Sequence, residues 1–214
     1  MDGMDGASVV RLFGALKQVF LDRREELIAL DGLIGDSDLG ITMARAFAAA
    51  ADAVSALPDD ARPGPILVAA GAAIAKAAPS TMGTLTATGF MRGGKAVGDA
   101  DVLRTPELLA FWTAYRDGIM QRGKAKPGDK TIIDVVDPVC VALEACVADG
   151  ASLPEALARA SEAAASGLEA TKGMIAQHGK AATFQAKSLG LQDAGATVGV
   201  LIVTSWAEVL GPHD

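Results

Sequence analysis

Apolar side chains recur at Val9, Leu12, Phe13, Leu16, Val19, Phe20, Leu27 and Ile28, in steps of mostly three and four. That period places them on one stripe and predicts an amphipathic helix over residues 8–30. Within it, the polar run Asp22-Arg23-Arg24-Glu25-Glu26 reads as a solvated face. The next segment, Asp31-Gly32-Leu33-Ile34-Gly35-Asp36-Ser37-Asp38-Leu39-Gly40, is too rich in glycine to continue a helix and reads as a loop. Helices follow over 41–57 and 66–78, separated by the breakers Pro58 and Pro63-Gly64-Pro65. Ser80-Thr81-Met82-Gly83 reads as a short polar turn before an Ala/Gly-rich helix ending near Val97. Thr105 is expected to cap a helix that has Pro106 at its first position and ends near Gly123. A Gly/Lys/Pro loop over 123–130 leads to a helix over 131–147, in which Pro138 should mark a kink or the true first turn. Ser152-Leu153-Pro154-Glu155 fits a capping box and opens a helix that could reach Met174. Residues 179–195 read as a polar loop. The last helix, 196–210, is apolar nearly all round and is expected to be central. The pattern amounts to about eight helices, no strand pair and no dividing linker: an all-α domain over residues 1–214.

Composition strengthens this picture. Half of the 214 residues are hydrophobic but only 4% are aromatic. The core must therefore be built largely from Ala, Leu, Val, Ile and Met, and small side chains favour close helix packing. The net charge of −7 and the lack of a basic, aromatic-studded stripe argue against nucleic-acid binding. No apolar stretch approaches the roughly 18–20 residues that span a bilayer. The acidic N-terminus does not resemble a secretory signal. Cys140 and Cys146 sit six apart in one helical segment, on different faces, and read as reduced, buried thiols. The expected location is the cytoplasm.

Chemistry concentrates in the turns. Asp31, Asp36 and Asp38 lie within eight residues. Two like charges about 4 Å apart cost on the order of 4 kcal/mol at an effective dielectric of about 20. Hard carboxylate oxygens suit Mg²⁺, which also takes phosphate oxygens and water. Spacing alone is equally compatible with turn and cap aspartates, Asp38 being placed to cap the following helix. Ser80-Thr81-Met82-Gly83-Thr84 combines hydroxyls with helix-start amides, which can bind an anion or simply cap the helix. Gly128-Asp129-Lys130-Thr131 and Gln192-Asp193-Ala194-Gly195-Ala196 carry the same two readings. His178 and His213 do not form a metal pair, and His213 is expected to be solvated. No zinc site and no Ser/His/Asp set is present, so nothing points to covalent catalysis.

Taken in order, these turns resemble the L subunit of dihydroxyacetone kinase. Leu30 to Met43 is similar to that family's metal loop, an Asp, four residues, then Asp-Gly-Asp-His-Gly. Pro127 to Asp134 looks like its Gly-Asp-Lys-Thr-Met segment. Ala170-Thr171-Lys172-Gly173-Met174, Gly179-Lys180-Ala181 and Asp193-Ala194-Gly195-Ala196 look like its Ala-Thr-x-x-Met, Gly-Arg-Ala and Asp-Pro-Gly-Ala segments. The resemblance runs from about residue 10 to the end. It implies a barrel-like bundle of eight antiparallel helices with ADP or ATP at one end, its phosphates held through two Mg²⁺ on Asp31, Asp36 and Asp38. It further implies that Leu39, Gly40, Ile41 and Thr42 lie along the nucleotide and that Ser80 and Thr81 meet phosphate. Gly123 and Ile132 would lie near the adenine, with Lys180, Asp193, Ala194 and Gly195 closing the site.

The implied activity is transfer of a phosphoryl group to a short-chain ketose held by a separate K-type subunit, with ATP or a phosphotransferase-system protein as the source. A homodimer is also compatible. The departures are Leu39 for the family histidine, Ser80-Thr81-Met82 for Ser-Gly-Pro/Ala, Lys180 for arginine and Ala194 for proline. A non-catalytic nucleotide-binding regulatory module and a stand-alone Mg²⁺-dependent phosphatase are the alternative functions.

Overall fold

The computed structural model describes residues 3–210; the tail histidine, His213, lies outside them. Nine α-helices run in chain order among these residues: α1 (Gly6–Asp22), α2 (Arg24–Asp31), α3 (Leu39–Ser55), α4 (Pro63–Ala77), α5 (Thr81–Val97), α6 (Thr105–Gly123), α7 (Ile133–Asp149), α8 (Leu153–Ala170) and α9 (Ala194–Glu208). Two 3-10 segments, Thr171–Gly173 and Lys180–Ser188, connect α8 to α9. From α3 onward each helix packs on the next, α1 packs on α3, and α9 returns to α1. The ring therefore closes, as expected of a barrel-like helical bundle.

The helix starts follow from local chemistry. Asp5 accepts a hydrogen bond from the Ser8 N–H at 2.8 Å and caps α1. Ser152 and Glu155 form the reciprocal box anticipated at the start of α8. Three details differ from the sequence expectation. The helix expected over 8–30 breaks at Arg23, which separates α1 from α2. No proline or glycine announces this break. Arg23 pairs with Glu26 on the solvent side, and only Leu27 of α2 is buried, so little apolar packing holds the axis straight. Counting α1 and α2 as one bent helix recovers the expected eight. At α6 the N-cap is Arg104, whose N–H donates to the Glu107 carboxylate, while the Thr105 hydroxyl reaches the Ala151 carbonyl. Thr81 to Gly83 already belong to α5, with Ser80 as cap. As expected, Pro138 lies inside this helix, five residues after the start of α7 rather than in its first turn. A proline there cannot donate to the Asp134 carbonyl. Gly167 of α8 approaches that carbonyl so closely that a Cβ would sit 2.3 Å from it.

The core holds the few aromatic residues together. Phe90 lies against Phe13, Phe47, Phe111 and Tyr115, and Trp112 and Trp206 extend the cluster. Gly89 and Gly93 let α5 reach α6, since a Cβ on either would come within about 2.5 Å of the Tyr115 or Phe111 ring. Cys140 and Cys146 are both free and buried, as expected. Among the described residues no helix is long and apolar enough to cross a membrane.

Candidate functional site

The turns singled out from the sequence meet at one end of the bundle around a cleft of about 460 Å³. One wall is the α2–α3 loop. Asp31 is the last residue of α2, and its Oδ2 accepts from the N–H groups of Asp38 (3.1 Å) and Leu39 (3.4 Å). The aspartate that caps α3 is thus Asp31; Asp38 occupies the cap position but its side chain makes no capping bond. Ser37, between Asp36 and Asp38, has a left-handed backbone (φ 62°). Gly35 is required by close approach, because a Cβ would lie 2.2 Å from Asp31 Oδ1.

One carboxylate oxygen from each of Asp31, Asp36 and Asp38 lies within 4.8 Å of the others. Burial, then the charges of Asp36 and Asp31, hold the Asp38 carboxyl above its usual pKa, against the pull of Lys180. Three hard oxygen donors that repel one another are a donor set that fits Mg²⁺. The Lys180 ammonium reaches the same loop, donating to Asp36 Oδ2.

The second wall is the start of α5. Ser80 Oγ accepts from the Gly83 N–H at 3.1 Å, and Ser80 and Thr81 both face the cleft. The first amides of a helix have no intrahelical acceptor, so this turn is suited to an anion. Pro79, Met82, Leu85 and Ile132 supply an apolar slot beside it.

The floor comes from the loop before α7 and the turn before α9. Asp134, in the first turn of α7, ties down the preceding loop by accepting from Thr131 N–H (2.7 Å) and Gly128 N–H (2.5 Å). Lys130 is only 2% exposed and has a left-handed backbone. Its ammonium donates to the carbonyls of Thr171 (2.6 Å) and Leu191 (2.5 Å), joining three chain segments. Burial lowers the Lys130 pKa, opposed by Asp193 and Asp134. Asp193 caps α9 through the Ala196 N–H (2.7 Å). Burial pushes its carboxyl up to about 6, against that hydrogen bond and the Lys130 charge. His178 Nε2 lies 3.0 Å from Asp129 Oδ2. Burial acts to raise the Asp129 pKa, but the Lys126 N–H and His178 outweigh it and leave it lowered.

Of the residues proposed from sequence, the cleft brings together Asp31, Asp36, Asp38, Leu39, Ser80, Thr81, Ile132, Lys180, Asp193, Ala194 and Gly195. It does not include Gly40, Ile41, Thr42 or Gly123. Gly40 faces α2, where a Cβ would lie 2.2 Å from the Arg24 carbonyl. Ile41 points outward at 47% exposure and Thr42 is buried. Gly123 sits behind the wall, next to Leu85. Lys130, His178 and Leu85 are among the cleft residues that the sequence left unassigned. The Gly128–Thr131 turn did flag Lys130, but its burial is tertiary. His178 offered no ligand-spaced partner along the chain, because Asp129 is far away in sequence.

The DAK2 domain family model matches residues 33–208. The ADP-binding subunit DhaL of the PEP-dependent dihydroxyacetone kinase of Escherichia coli K12 is 36% identical over 179 residues, 84% of this chain and 85% of that protein. The L-erythrulose kinase of Pectobacterium atrosepticum is 34% identical over 94% of this chain. The human triokinase/FMN cyclase is 31% identical over 96%. Of these two longer proteins the chain spans only 34% and 36%. The crystal structure of the C. freundii dihydroxyacetone kinase in complex with AMP-PNP and Mg²⁺ shares the all-α fold (TM-score 0.73, 24% identity), covering 97% of this chain and 35% of that one.

Proposed function

The chain belongs to the DAK2 domain family, and we propose that it is the nucleotide-binding half of a dihydroxyacetone kinase-like phosphotransferase. The single observation that carries this reading is the convergence of Asp31, Asp36 and Asp38 opposite the start of α5, in a cleft with an apolar slot. The three carboxylates would hold Mg²⁺, two ions in the fullest form of the proposal. Bound Mg²⁺ would neutralise phosphate charge during transfer. Ser80, Thr81 and the first amides of α5 orient the phosphates of ADP or ATP. Met82, Leu85 and Ile132 take the base. Lys180, with Asp193, Ala194 and Gly195, closes the opposite side.

The acceptor hydroxyl would come from elsewhere. The chain spans about a third of the longer kinases it resembles. A K-type subunit that presents a C3 or C4 ketose is the proposed partner, and a phosphotransferase-system protein is a candidate phosphoryl source. Leu39, where the family carries histidine, leaves the metal set unchanged but makes that edge of the cleft apolar.

Isothermal titration with Mg-ADP and Mg-ATP tests the proposal. Saturable binding that is lost in Asp36→Ala supports it, and no binding at millimolar nucleotide sinks it. A kinase assay with a K-type subunit and a ketose panel separates this activity from phosphate release by the chain alone.

A further inference from the structure

Lys180 heads the 3-10 segment Lys180–Ser188, a strap whose first residues, Lys180 and Ala181, line the cleft. The strap is sewn down at both ends. At its root the Gln177 N–H donates to the Asp129 carbonyl (3.1 Å), and His178 pairs with Asp129. At its far end the Ser188 hydroxyl accepts from the Ala176 N–H (3.0 Å), and the Gly190 N–H donates to the Lys172 carbonyl (2.8 Å). Between these anchors Gly179 and Gln185 both have positive φ, and Gln185 interrupts the 3-10 geometry. Lys180 alone crosses to the acidic loop. It carries a 63% exposed side chain and places its ammonium on Asp36 Oδ2, where its charge also acts on Asp38 and Asp31.

Resting on the nucleotide-binding reading above, we propose that the Lys180 ammonium and a divalent cation compete for the Asp36 carboxylate, so that Lys180 changes partner when a metal-bound nucleotide enters. A cation approaching the three aspartates by itself must push aside a like charge. A cation that arrives with a nucleoside diphosphate brings phosphate oxygens, and these give the displaced ammonium a new anionic partner within reach of the same strap. Exchange is easy, because an exposed lysine–carboxylate pair is weak and a lysine stem is flexible. The protein thereby favours the metal–nucleotide complex over the free metal.

Mn²⁺ is the probe, with free Mn²⁺ followed by its paramagnetic resonance signal and ADP followed by isothermal titration. In the full chain, Lys180→Met should bind Mn²⁺ without nucleotide roughly two- to fivefold more tightly than the wild type. The same variant should bind ADP severalfold more weakly at saturating Mn²⁺. Lys180→Arg, which keeps the charge, should stay close to the wild type in both. Unchanged or weakened Mn²⁺ binding in Lys180→Met would show that Lys180 and the metal share Asp36 rather than compete, and would overturn the proposal, as would unchanged ADP affinity. Asp36→Asn serves as the control: undiminished Mn²⁺ binding in it would instead refute the metal site itself, which separates that failure from failure of the exchange.

Discussion

Replacing Asp193 with asparagine should flatten part of the protein's pH dependence of stability. Asp193 is 7% exposed, and its carboxyl is pushed up to about 6 by burial. The folded state therefore binds this proton more tightly than the unfolded state, whose aspartate titrates near 3.9. Between those values the folded state carries more protons, so stability from this group is present at low pH and falls as pH rises through about 6. Integrated from pH 5 to pH 8, this single group costs roughly 1.4 kcal/mol. Asparagine keeps the cap on the Ala196 N–H but does not titrate. At pH 5 its neutral amide stands in for a carboxyl that is mostly protonated, and the attraction between the ionised carboxyl and Lys130 at pH 8 is already contained in the shifted pKa. Urea denaturation of both proteins at pH 5 and pH 8 reads the effect. The stability of Asp193→Asn relative to wild type should improve by roughly 1.4 kcal/mol from pH 5 to pH 8. An equal difference at the two pH values, or one that moves against the variant as pH rises, would refute the burial argument.

Further outcomes follow from the same geometry. Gly35→Ala places a methyl against Asp31 Oδ1 and should weaken Mn²⁺ binding severalfold while costing about 1–3 kcal/mol of stability, read by resonance titration and urea melts. Phe90→Ala removes the centre of the aromatic cluster and should cost about 3–5 kcal/mol, visible as a large fall in Tm. The Cys140 thiol, pushed up to about 12 by burial, should resist iodoacetamide at pH 8 in the native protein and react on denaturation, as mass spectrometry would record.

Much of the fold was legible because helix signals are local. The capping box at Ser152, the proline near the start of α8 and the periodic stripes of α1 act within a few residues, and the structure keeps them. The break at Arg23 was not legible, since it follows from how little of α2 is buried rather than from a breaking residue. Pro138 was expected inside this helix, but the close approach of Gly167 of α8 to the Asp134 carbonyl is a tertiary contact that no local pattern reveals. In the site, the spacing of the three aspartates left a metal loop and helix caps both open, and it suggested Asp38 as the helix cap where the structure uses Asp31. That choice depends on a turn through the left-handed Ser37. Lys130 gained its place from two carbonyls supplied by Thr171 and Leu191, both distant in sequence, and the His178–Asp129 contact is likewise long-range. Gly40, Ile41 and Thr42 follow the aspartates in sequence, yet the helical turn of α3 carries them away from the cleft.

The central claim is that Asp31, Asp36 and Asp38 hold a nucleotide through a divalent cation. Isothermal titration of ADP into the protein with Mg²⁺, with excess chelator, and into Asp36→Ala with Mg²⁺ tests it most directly. The account predicts saturable binding in the first case and a loss of at least about tenfold in affinity, about 1.4 kcal/mol, in the other two. ADP binding of equal strength in all three would contradict it.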